Sequence, residues 1–177
     1  MRINIDVKKS IETRKLVSTS LYHKFIDNFN SILVAIVFIV IIIGPTVGIK
    51  TEITTLKILL TIIVLTLTAI EITISKKMEK LTLTDNKKVK VDRDIFNLLA
   101  EENSWSIVKE DEQLIIIQTN NWLSQERQIS IILDNGFIYV NVMSFGMYDI
   151  KTPLYFKKDK QILNQIMNKI TLHNNKL

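Results

Sequence analysis

Cysteine is absent from the 177 residues, which removes disulfides, thiolate metal ligands and a thiol nucleophile at once. Histidine occurs only twice, as His23 and His173 near opposite ends of the chain, so no histidine-built metal centre is expected and both are read as surface residues. Glycine is scarce as well. Gly44 and Gly48 close an apolar stretch, Gly136 belongs to a hairpin turn and Gly146 to a loop, so neither a phosphate-cradling loop nor a dinucleotide fingerprint can be assembled.

The carboxylates are also badly placed for chemistry. Glu101 with Glu102, and Glu110 with Asp111 and Glu112, fall at a helix end and in a turn, where solvated charge is the expected state. A restriction-type nuclease core needs an Asp on one strand and an acid-x-Lys on the next. Asp134 is followed by Ile138, Tyr139, Val140, Asn141 and Val142 with no carboxylate, so that ligand set is missing. The chain is therefore read as non-enzymatic, with no catalytic residues, no metal and no cofactor.

What the sequence has in quantity is aliphatic residues. Residues 31–49 carry no charge and residues 53–75 carry only Lys57 and Glu71, with Lys50, Thr51 and Glu52 between the two stretches. Nineteen uncharged residues meet the length of about 20 that a helix needs to cross a bilayer, and the short connection favours an antiparallel return. The expected architecture is a transmembrane hairpin with spans at about 31–49 and 53–75, at the cell membrane and multi-pass.

Net charge sharpens that expectation. The total of +5 divides into +3 for residues 1–30, zero for 31–75 and +2 for 76–177. Basic residues on both outer flanks, against Lys50 alone in the connection, would place both termini in the cytoplasm. Their position beside the apolar stretches suits anionic headgroups, and residues beyond 93 show no basic stripe, so the lipid bilayer and not nucleic acid is the expected partner.

Residues 1–30 read as an amphipathic juxtamembrane segment, broken near Ser18, Thr19 and Ser20, with a helix restarting at Leu21. The alternation of Ile3, Ile5 and Val7 also allows an edge strand. Residues 76–90 form a basic linker, and residues 91–177 a cytoplasmic α+β domain ordered as helix, four antiparallel strands, helix. Its first helix runs from Asp92 to about Asn103. Strands follow at 105–109, 113–119, 128–133 and 137–144, with Asn135-Gly136 supplying the positive φ angles of a tight turn. A last helix starts with Asp159 as its cap and ends near His173, and a short fifth strand is allowed at 154–156.

Two features rise above this background. Thr54, Thr61, Thr68 and Ser75 recur every seven residues with Lys57 and Glu71 interleaved, tracing a polar seam suited to packing, to self-association through the second span, or to lining a pore. Trp122 and Leu123 lie amid polar residues and offer a docking point or a core cover. The function expected on these grounds is a membrane-anchored protein whose cytoplasmic domain binds a protein partner or small ligand. The alternative is a small membrane-perturbing or pore-forming effector.

Overall fold

Leu114 to Ile117 and Ile129 to Leu133 are nearly continuous apolar runs, longer than a strand with one wet face requires, and the structure shows why. It is a computed structural model that describes residues 4–23, 25, 26, 33, 36, 51–84, 93–121, 125–146 and 151–174. In chain order the elements are helix α1 (Val7–Thr13), helix α2 (Thr51–Met78), strand β1 (Thr82–Leu83), helix α3 (Asp94–Glu102), strands β2 (Ser106–Glu110), β3 (Leu114–Asn121), β4 (Gln125–Asp134) and β5 (Phe137–Phe145), a 3-10 turn (Pro153–Tyr155) and helix α4 (Phe156–Asn174). The strands form one antiparallel sheet in the order β1-β5-β4-β3-β2.

Both faces of that sheet are covered. On one, Ile115, Ile117, Ile129, Ile131, Val140 and Val142 pack against Phe96 and Leu99 of α3 and Ile166 and Ile170 of α4. On the other, Leu114, Ile116, Ile132, Met143 and Phe145 pack against Ile5 and Leu16 of the N-terminal segment and against Met78, at the end of α2. Side chains alternate across a strand, so burial of both sets demands the unbroken apolar runs. At the β4–β5 hairpin Asn135 (φ 49°) and Gly136 (φ 87°) adopt the left-handed conformations that their residue types favour.

The expected membrane architecture is overturned. Among the described residues no helix is long and apolar enough to cross a membrane. The uncharged centre of α2, between Lys57 and Glu71, is 13 residues, or about 20 Å at 1.5 Å per residue, against about 30 Å of hydrocarbon. The C-terminal end of the helix is a core element of the folded domain, because Met78 is buried and Ile74 packs beside it. The first expected span, 31–49, lies outside the described residues apart from Leu33 and Ile36. With the two-span hairpin go the multi-pass location and the inference that both termini are cytoplasmic, which required spans to orient.

Strand number is corrected too, from four to five. The added strand is β1, within the stretch read as a basic linker, where Thr82 pairs with Val140 and Leu83 with Tyr139. The fifth strand allowed at 154–156 is instead the 3-10 turn and the start of α4. Helix α1 ends before the expected break, and residues 21–23, 25 and 26 are helical again. Asp6 caps α1 by accepting from the Lys9 amide at 3.0 Å, and Ile5 makes a bridge to Ser18 in place of joining the sheet.

Candidate functional site

Beside the β1–β5 edge a cavity of about 480 Å³ opens between the last turn of α2 and the first turns of α4. Its apolar lining includes Leu81, Leu83, Tyr139, Val142, Phe156 and Leu163, and Arg14, Lys77, Lys80 and Lys160 add four cations. All four basic side chains are exposed, and among the described residues none is given an ion-pair partner. The volume falls within the range of about 300–1,000 Å³ usual for small-molecule sites.

Each wall has a local cause. Helix α2 must satisfy its terminal carbonyls, and Asn141 of β5 does so, its Nδ2 donating to the carbonyls of Met78 (2.7 Å) and Lys80 (3.0 Å). Two carbonyls around one amide nitrogen fix which way the Asn141 amide faces, because a rotated group would oppose oxygen to oxygen. Its Oδ1 is then left buried without a protein hydrogen-bond partner. Thr119 Oγ1 shares that condition but is not part of this lining.

The N-terminal segment locks onto the same junction. Leu16 N donates to Glu79 O at 2.8 Å and Leu81 N to Arg14 O at 3.0 Å, so residues 14–16 and 79–81 run side by side. Arg14 reaches this position in the left-handed region, with φ 51°, as the C-cap of α1. Glycine is the usual occupant of such a position, and a residue with a Cβ is held there at a cost of about 1–2 kcal/mol. The Lys151–Glu79 ion pair ties the segment after β5 to the same place.

Beneath α4 lies a buried ionic cluster. Arg127 and Ser144 are opposite one another on β4 and β5, and Asp159 descends between them from α4. Asp159 accepts from Arg127 Nε at 3.0 Å, from Ser144 N at 3.0 Å and from Ser144 Oγ at 2.6 Å. Burial pushes its carboxyl above the usual 3.8, opposed by the hydrogen bonds from Ser144 and then by Arg127. The Arg127 guanidinium also lies 5.9 Å from the Tyr155 ring centroid. With every Asp159 oxygen engaged, the cluster is a clamp joining β4, β5 and α4, and Ser144 has no free base beside it to act as a nucleophile.

Of the residues singled out from sequence, the described ones do not line the cavity. Thr54, Lys57 and Thr61 lie within α2, with side chains outside the described residues, while Thr68, Glu71 and Ser75 are half-buried further along it. Thr66 and Thr73, off the seam, donate to the carbonyls of Ile62 and Ala69, as hydroxyls in helices commonly do. Trp122 and Leu123 lie outside the described residues. His23, read as a surface residue, is buried with its Nδ1 3.1 Å from Ser18 Oγ. Among the described residues no group of three His, Cys, Asp or Glu side chains could hold a metal ion.

Sequence reasoning passed over Asn141, Arg14 and the Arg127–Asp159 pair. The available signal was a polar residue inside an apolar strand, since Asn141 interrupts Ile138 to Val142, whereas Arg127 sits in the polar start of β4 and carries no such signal. No family model, curated protein or solved structure matches this chain.

Proposed function

We propose that this protein is a non-enzymatic binding module whose ligand is a small molecule held between the end of α2, the β1–β5 edge and the start of α4. The observation that carries the reading is the cavity itself, about 480 Å³ with an apolar floor and polar groups at its margin. Its walls come from four separate parts of the chain, 14, 77–83, 139–142 and 156–163, so an occupant would touch all of them together.

A screen of a metabolite mixture by saturation-transfer NMR on the full chain tests this. At least one compound should bind the wild type and be lost from Leu163→Trp, whose larger side chain occupies the cavity, with the unfolding midpoint retained. If no compound is lost on filling the cavity, the reading fails.

Self-association through α2 is a second reading, favoured by the exposure of Leu59, Ile62, Ile63, Leu65 and Leu67 on that helix. Sedimentation analysis of Leu65→Glu/Leu67→Glu against wild type tests it. An unchanged mass distribution removes it.

A further inference from the structure

From the cavity's lining we infer that its ligand is an amphipathic organic anion, with an apolar body and a carboxylate or phosphate head. This rests on the small-molecule reading above and specifies its chemistry. The head group follows from charge. Arg14, Lys77, Lys80 and Lys160 all line the cavity, and Asp159, the acid in the lining, is already paired with Arg127. A neutral or cationic head would leave four like charges facing it without compensation.

The apolar body follows from the floor. Leu81, Leu83, Val142, Phe156 and Leu163 offer nothing for a second charge to bind, and burying one there would be unfavourable. Arg14 adds an independent indication. Its left-handed backbone is a sparsely populated state for a residue with a Cβ, and it is kept at a position that brings a guanidinium to the rim.

Calorimetric titration of the full chain with decanoate, decyl phosphate, decanol and decylamine tests the assignment. Decanoate or decyl phosphate should bind at least about tenfold more tightly than decanol and decylamine, and the tighter of the two identifies the head group. Lys77→Gln/Lys160→Gln, on exposed residues that leave the core intact, should weaken anion binding and flatten its salt dependence. Leu163→Trp should abolish binding.

Equal binding of decylamine or decanol, lost in Leu163→Trp, would overturn the anion assignment while leaving the cavity as a site. Binding that Leu163→Trp does not alter would overturn the cavity reading as well. Absence of binding by all four probes overturns the ligand class.

Discussion

Removing Arg127 alone should be among the most damaging single changes available to this fold. Its side chain is 6% exposed and that of Asp159 is 2% exposed, so the pair is shielded from solvent and its worth need not be discounted as a surface ion pair would be. Arg127→Met keeps the strand and most of the volume but leaves the Asp159 carboxylate buried with Ser144 as its only partner. Breaking a buried pair in this way costs about 3–5 kcal/mol. For a protein of this size each 1 kcal/mol moves the midpoint by about 2–4 °C, so a fall of roughly 10 °C is expected.

The companion variant Arg127→Met/Asp159→Leu removes both charges. Because the desolvation penalty of both ions disappears with them, it should recover most of that loss, and Ser144 can turn its hydroxyl elsewhere. Urea unfolding followed by the fluorescence of Trp105, which packs against the main core, reads both variants once Trp122→Phe has removed the second indole. A cost below about 1 kcal/mol for Arg127→Met, or a double variant as unstable as the sum of the singles, would refute the clamp.

Further outcomes follow from the same geometry. The Asp159 carboxyl titrates above its usual 3.8 in the folded state, so the folded chain holds that proton more tightly than the unfolded one. The associated stability is complete below 3.8 and is lost as pH rises through the folded value, a slope that Asp159→Asn should remove in paired urea titrations across the acidic range. Arg14→Gly should relieve the left-handed backbone and raise stability by about 1 kcal/mol while weakening decanoate binding, a stability–function exchange that calorimetry and thermal melts report together. Gly136→Ala should cost about 1–2 kcal/mol in a urea midpoint measurement, because φ at that turn position is 87°.

The parts of the fold legible in the sequence are those set by local chemistry. Asn135-Gly136 demands a hairpin, and the observed β4 and β5 run from Gln125 to Phe145 around it. The helical spacing of Ile162, Leu163, Ile166, Met167 and Ile170 marks α4, although it starts at Phe156, three residues before the expected cap. Asp159 looked like an N-cap because acids near helix starts commonly are. Its partners Arg127 and Ser144 are distant in sequence, and only the β4–β5 register brings them beneath it.

Strand β1 escaped for the opposite reason. Two residues within a lysine-rich stretch carry no periodicity, and their pairing depends on α2 ending where Asn141 holds its carbonyls. The second covered face was written in the runs Leu114 to Ile117 and Ile129 to Leu133. Reading residues 1–30 as a juxtamembrane segment leaves that face without a covering element. The same reading separates parts of the cavity, whose lining combines Arg14 from that segment with Lys77 and Lys80 from the stretch read as a basic linker.

Amide chemical-shift mapping of the full chain titrated with decanoate tests the binding site most directly, since an amphipathic anion could also adhere to the exposed apolar side chains of α2. Saturable shifts grouped at Leu81, Leu83, Asn141, Val142 and Leu163, lost in Leu163→Trp, are the outcome expected of a ligand in the cavity. Shifts confined to residues 59–72 of α2, with the β1–β5 edge unmoved, would contradict it.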